Sequence, residues 1–403
     1  MTQDLSLKTR QDRLIEWPLW LSVLLLMVIG SAFIFSATAT ADAAANLPWW
    51  RYRVVSQIGA YGIGLAVVGV LCWIDYARLA RWSLVVYWVS VLLLVAVALF
   101  GVSRLGAKRW IDFGPIQFQP SELAKLAFLF ALANFLARPV GELNSPALFA
   151  KALGMALLPF LLILKQPDLG SALVFLPIAV AMMFVAGVPR RFLVRFVGSI
   201  ALVGSLLLVD VLFAPPGWNF IQLETYQKQR LLVYFGLDFA PKGATPAERI
   251  AAKAEQEKKT YNVRQSLISV GSGGLTGKGW REGTQSALEY LPRAVAHNDF
   301  IFSVIAEERG FLGSLMVLTS YAVMLFSGIK IASQARDRLG RLLAVGVVVL
   351  LFTHIFVNIG MNIRMVPVTG IPLPLLSAGG TSVICSLIAL GILQNIHLHH
   401  RHY

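Results

Sequence analysis

The chain has 403 residues, of which 57% are hydrophobic and only 14% charged, whereas a soluble domain carries about a quarter charged residues. That balance argues against a soluble globular protein and for a polytopic helical membrane protein. The formal charge of +14 does not signal nucleic acid, because the basic residues are spread over many membrane-flanking loops instead of forming one stripe. They read as interfacial anchors, with part of the excess available to anionic lipid head groups.

Residues 1–16 are polar, and the first apolar run, WPLWLSVLLLMVIGSAFIF (17–35), is long enough to span a bilayer core. It is too long and bulky for a signal h-region, so no cleaved leader is expected, although the Ser, Ala and Thr tail at 36–45 contains A-x-A-like sequence. Apolar runs predict ten helices, near 17–37, 54–74, 82–101, 122–137, 147–164, 169–188, 191–214, 300–329, 341–361 and 380–397. The fourth and fifth carry Lys125 and Lys151 and are the least regular as spans. Cys72 and Cys385 both lie in apolar spans and form neither a metal cage nor a disulfide framework.

Placing the N-terminus in the cytoplasm gathers Lys8, Arg10, Arg13, Arg78, Arg81, Arg138, Lys151, Arg190, Arg191, Arg195, Lys330, Arg336, Arg338, Arg341 and Arg401 on that side. The opposite short loops hold fewer: Arg51, Arg53, Arg104, Lys108, Arg109, Lys165 and Arg364. The positive-inside rule therefore puts both termini in the cytoplasm and the long polar loop 215–298, between the seventh and eighth helices, outside. The whole chain, 1–403, reads as one all-α membrane domain with that loop inside it. No convincing internal repeat is present, which weakens an inverted-repeat transporter.

Within the loop, Thr245-Pro246-Ala247-Glu248 has the capping-box pattern with proline at the first helical position. It predicts a short charged helix over 246–259, a surface insertion by its charges. SVGSGGLTGKGW (269–280) is not a P-loop, since Ser272 takes the first glycine position and Gly279 follows Lys278. A tight turn needing positive φ is the better reading.

Asp299 opens the eighth apolar run, preceded in the loop by Glu289. By spacing alone a helix cap or first-turn acid is favoured over a functional carboxylate. His297 has the same two readings, base or structural. Glu307, Glu308 and Arg309 follow about 12 Å along the helix axis, where ionisable groups default to function but a structural ion pair is nearly as good an account. Other groups on that side are Lys108-Arg109-Trp110, QPSELAK (119–125) with Glu122 and Lys125 three apart, Lys165-Gln166-Pro167-Asp168, and Arg364. Each cation alone is an interfacial anchor; together they suit an anion, pyrophosphate above all. Prolines 367, 372 and 374 make 366–380 irregular, which a membrane tolerates where protein or a water-lined cavity covers it.

Six segments together resemble the shape, elongation, division and sporulation family, the RodA and FtsW proteins. They are GAKRWIDFGPIQFQPSELAKLA (106–127), KQPDLGSAL (165–173), YQKQRL (226–231), QSLISVGSGGLTGKGWREGTQSALEYLP (265–292), HNDFIFSVIAEERGFLG (297–313) and PVTGIPLPLLSAGGTS (367–382). YQKQR and GTQS are closer to the RodA elongation branch. The resemblance implies a ten-helix, inverting peptidoglycan glycosyltransferase that polymerises lipid II at the outer face of the cytoplasmic membrane. It also implies a class B penicillin-binding protein as partner and a divalent cation, Mg or Mn, of undetermined ligands. The family's essential aspartate matches Asp299, and its loop glutamate, aspartate and arginine match Glu289, Asp168 and Arg109.

The candidate set is thus Asp299 and Glu289 for catalysis, with Arg109, Lys125, Glu122, Asp168, Lys278, His297 and Arg364 for substrate. The sequence departs from the family by two extra residues before Asp299, the 243–259 insertion, Ala378 for the usual tyrosine, and Arg364 for a small residue. A flippase for the same lipid, or a non-catalytic activator of the penicillin-binding protein, are the rival readings.

Overall fold

The computed structural model describes residues 15–44, 48–104, 107–112, 117–213, 225–239, 245–284, 290 and 296–399. In chain order the helices are α1 (Trp17–Ala44), α2 (Arg53–Trp73), α3 (Tyr76–Arg81), α4 (Ser83–Phe100), α5 (Pro120–Leu136), α6 (Pro146–Lys165) and α7 (Leu169–Leu173). They continue as α8 (Phe175–Val185), α9 (Arg190–Phe213), α10 (Thr225–Phe235), α11 (Pro246–Ser272), α12 (Ile301–Gln334), α13 (Arg338–Asn362) and α14 (Gly380–Leu398). Among the described residues, eight helices are long and apolar enough to cross a membrane: α1, α2, α4, α6, α9, α12, α13 and α14. The fourth and sixth predicted spans are also helical, but shorter: α5 has 17 residues, and Leu169–Val185 is divided into α7 and α8.

Local chemistry sets the helix starts. Proline occupies the first turn of α5, α6 and α11, where its missing N–H costs nothing. Asp75, Asp168 and Asp337 cap α3, α7 and α13 through their side chains. The Thr245–Glu248 capping box is formed as the sequence predicts, but α11 runs on to Ser272 instead of stopping near 259. Beyond the charged stretch, Val263, Ser266 and Ser269 repeat every third residue and are buried, where α11 packs on α12. Tertiary packing extends the helix past the point where composition changes.

One segment departs from an all-helical reading. Between α4 and α5 lie three short antiparallel strands, β1 (Val102–Arg104), β2 (Ala107–Asp112) and β3 (Gln117–Phe118), in the order β1-β2-β3. The connection is polar, and the backbone groups of its strands satisfy one another across a small meander.

α14 and α13 form the centre of the bundle, whereas α9 is almost wholly exposed and faces lipid. α2 and α14 approach closely at two glycines: a Cβ on Gly64 would lie 2.4 Å from Leu387, and one on Gly391 2.9 Å from Val68. The proline-rich segment after α13 is irregular as predicted, and side chains cover its carbonyls. Tyr61 donates to Leu375 O at 2.5 Å, Tyr321 to Pro374 O at 2.6 Å, and Asn358 to Ile371 O at 2.8 Å. That is the condition under which non-helical backbone survives at membrane depth.

α12 is broken at Gly310, whose backbone is left-handed (φ 63°, ψ −157°). The glycine turn after α11 docks into the break, with Gly274, Gly277 and Gly279 at φ 57°, 86° and 118°. Lys278 N and Gly279 N donate to the carbonyls of Glu307 and Glu308 at 3.0 and 3.1 Å. In return Phe311 N and Leu312 N donate to Gly274 O and Leu275 O at 2.8 and 3.1 Å. These four bonds give backbone groups at the break partners in the turn. A Cβ on Gly310 would lie 2.4 Å from Gly277 N. Gly310→Ala is expected to cost about 2–5 kcal/mol, from the left-handed backbone and the overlap together. Gly274→Ala meets nothing within 4 Å and is expected to cost only about 1–2 kcal/mol. Detergent-solubilised thermal unfolding of the two variants checks the difference.

Candidate active site

Asp299 sits just before α12, partly buried, at the mouth between α12, α13 and the irregular segment. Its backbone is fixed from below. Its carbonyl accepts from Asn358 Nδ2 at 3.1 Å and Asn362 Nδ2 at 3.0 Å, two α13 side chains one turn apart. Ser303 Oγ donates to Asn362 Oδ1 at 2.5 Å and meets Ser266 Oγ at 2.6 Å, joining α11 to the same network. Ser377 donates to Asn298 O at 2.6 Å, and Ala378 N to His297 O at 2.9 Å. The open side is kept close by Gly370, whose would-be Cβ lies 3.7 Å from Asp299 Oδ2.

Burial pushes the Asp299 carboxyl up to about 6, against the opposing pull of the Arg230 and Arg109 guanidiniums and with a further push from Asp168. A carboxyl whose burial brings its pKa toward physiological pH is equipped to take a proton there. Arg109, on β2, is held by its own carbonyl acceptors: Nε donates to Gln166 O at 3.3 Å and the terminal nitrogen to Pro167 O. Its other terminal nitrogen lies 3.6 Å from Asp168 Oδ1. Asp168 caps α7 through Ser171 N at 3.1 Å and accepts from Gln119 at 3.3 Å. A Cβ on Gly170 would strike Thr369 O at 2.8 Å, so α7 is packed onto the segment beside Asp299.

The predicted residues therefore fall into separate groups. Asp299, Arg109 and Asp168 come together, and Arg230 joins them, although the sequence reading did not single it out; YQKQRL was the signal available. Lys125 and Glu122 lie elsewhere, buried in the bundle with Nζ 2.7 Å from Glu122 Oε1 and 2.9 Å from His354 Nε2. His354, Asn358 and Asn362 are spaced four apart on α13, so one polar face runs from this pair to Asp299. Lys278 binds Glu307 Oε1 at 2.7 Å and Thr284 Oγ1 at 2.6 Å, beside the α12 break. Arg364 is exposed, left-handed at φ 60°, and reaches Val233 O on α10 at 3.4 Å. His297 is buried directly before the site. Glu289 lies outside the described residues.

Among the described residues no three His, Cys, Asp or Glu side chains gather as a metal-binding group. Asp299 and Asp168 are nonetheless hard oxygen donors, and Mg²⁺ is held by one or two carboxylates with phosphate and water completing its shell. The donor chemistry fits a divalent cation shared with a phosphate ligand better than a closed protein cage.

The fold and this site define a polytopic membrane protein with a buried carboxylate under the influence of two guanidiniums at one end of the bundle. The chain belongs to the FtsW, RodA and SpoVE family: the family model described as cell cycle protein matches residues 16–402. It is 34% identical over 403 residues to the peptidoglycan glycosyltransferase MrdB of Escherichia coli (strain K12), covering 100% of this chain and 98% of that one. Among solved structures, a chain of a peptidoglycan synthase complex superposes with a TM-score of 0.73 at 28% identity, covering 96% and 98%. The rod shape determining protein RodA of Thermus thermophilus does so with a TM-score of 0.63 at 28% identity, covering 95% and 96%.

Proposed function

We propose that this protein is a peptidoglycan glycosyltransferase of the RodA branch, which polymerises lipid II at the outer face of the bacterial cytoplasmic membrane during wall elongation. The observation that carries the reading is Asp299, anchored through its carbonyl by two asparagines, raised to about 6 by burial and acted on by the charges of Arg230 and Arg109. Attack by a sugar 4-hydroxyl on the anomeric carbon of a lipid-pyrophosphate sugar needs a base, and Asp299 accepts that proton. Negative charge grows on the departing pyrophosphate, where Arg109 and Arg230 stabilise it. Single displacement inverts the anomeric centre. Asp299, with Asp168 behind it, would hold the divalent cation, which when bound supplies further positive charge to the pyrophosphate. Glu289 positions the acceptor from the loop. His297 fixes the approach to Asp299, and the buried Lys125–Glu122–His354 cluster supports the α13 face beneath it. Lys278 and Arg364 shape the mouth by holding the glycine turn and α10; the contacts they make are to protein groups rather than to an open anion site.

The proposed topology has ten spans, counting α5 and the α7–α8 pair with the eight long helices, and both termini in the cytoplasm. In its support, the ends of α12 and α13 beside Asp299 lie opposite the ends that carry Arg336, Arg338 and Arg341. The loop 215–298 is then extracytoplasmic, within a single domain. A class B penicillin-binding protein is the proposed partner, in keeping with the peptidoglycan synthase complex to which one similar chain belongs.

Purified protein, alone and with its partner, given lipid II and Mg²⁺ or Mn²⁺, is expected to make glycan chains. Lipid translocation in vesicles without polymer, in the presence of the partner, would turn the assignment to the flippase.

A further inference from the structure

At the end of the bundle away from Asp299, a cavity of about 300 Å³ opens between the C-terminal end of α8 and the first turn of α13. α13 has 25 residues, which puts this cavity about 36 Å from the Asn362 end. Three arginines line it, Arg336, Arg338 and Arg341, against one carboxylate, Asp337. That carboxylate is already engaged: Oδ1 accepts from Tyr76 Oη and Gly340 N, both at 2.8 Å. Arg336 reaches Asp75 and Asp337 only at 4.0 Å, the outer limit of an ion pair. Arg338 donates one terminal nitrogen to Ala186 O, while its Nε is shut off from solvent with no acceptor among the described residues. Arg341 is exposed and makes no ion pair among the described residues.

Such a cavity has surplus guanidinium donors and too few acceptors of its own. Guanidinium forks match phosphate oxygens in geometry and charge. The rim identifies the source of the phosphate. Val140 and Val185, which line the opening, are 50% and 40% exposed, and Leu342 joins them, an apolar rim suited to acyl chains. A soluble phosphate has no use for that rim, whereas a lipid occupies both parts at once. We infer that Arg336, Arg338 and Arg341 form a binding site for the phosphate of an anionic phospholipid head group, remote from the Asp299 mouth.

The test uses the full-length protein in detergent, with dioleoylphosphatidylglycerol and dioleoylphosphatidylcholine as probes and retained lipid counted by native mass spectrometry. Wild type is expected to retain the anionic lipid in preference to the zwitterionic one. Arg338→Gln and Arg341→Gln are each expected to weaken that retention about fivefold, and together more. If Arg338→Gln fails to fold, Arg341→Gln alone decides, because its exposed side chain makes no ion pair in the described fold. Unchanged retention in the variants overturns the site. Displacement of the lipid by an equal concentration of inorganic phosphate overturns the lipid assignment in favour of a soluble anion.

Discussion

Asp299→Ala and Asp299→Asn are expected to lower glycan polymerisation at least about a hundredfold, the span over which a positioned base contributes. The wild-type rate is expected to climb with pH as the carboxyl ionises and to fall away as it protonates; burial puts that ionisation at about 6 in the metal-free protein, and a bound cation moves it lower. Stability moves in the opposite direction. A carboxyl whose folded pKa lies above its unfolded value of 3.8 favours the fold fully below that value and progressively less as pH passes about 6. Asp299→Asn keeps the shape without the charge, so at pH about 8 its melting temperature is expected to equal or exceed that of wild type. Loss of polymerisation without loss of stability separates a chemical role from a structural one; polymerisation at the wild-type rate would remove Asp299 from the reaction. That balance is expected where a fold tolerates an ill-solvated charge for the sake of function.

Lys125→Met is expected to be the most destabilising single change in the bundle, at about 3–5 kcal/mol, because it leaves Glu122 buried without its cation. The pair is 2.7 Å apart with side chains 2% and 4% exposed, and His354 Nε2 lies 2.9 Å from Lys125 Nζ. The double variant Glu122→Gln/Lys125→Met removes both charges and is expected to recover most of that loss. Thermal unfolding of the two singles and the double completes the cycle. A double variant as unstable as Lys125→Met would show that the two side chains do not act as a pair.

What the sequence revealed best was what neighbours in the chain decide. The apolar runs marked the helices, Thr245 and Glu248 marked the start of α11, and Gly274, Gly277 and Gly279 marked a turn of positive φ. Asp299 was legible as a helix-entry acid from its spacing, and as a functional residue only through the motif around it. What was missed depends on contacts across long stretches of chain. Nothing local in YQKQRL says that Arg230 faces Asp299, or that Asn358 and Asn362 turn their amides onto its carbonyl. Lys125 and Glu122 were recognised as a pair by their spacing. That they lie inside the bundle against His354, and not beside Asp299, required the position of α13.

The break in α12 bears on how the protein meets membranes of different thickness. Unbroken, its 34 residues would make a rod about 51 Å long, against a hydrocarbon layer of about 30 Å. The stretch after Gly310, 311–334, is about 36 Å, a length that modest tilt accommodates. Within α12, the rod after Gly310 is therefore the part whose length suits the hydrocarbon layer. The short upper rod, with Asp299 at its head, is pinned by the glycine turn and by the asparagines of α13. The position of the carboxylate relative to α13 is thus set by protein contacts above the break rather than by the tilt of the rod below it.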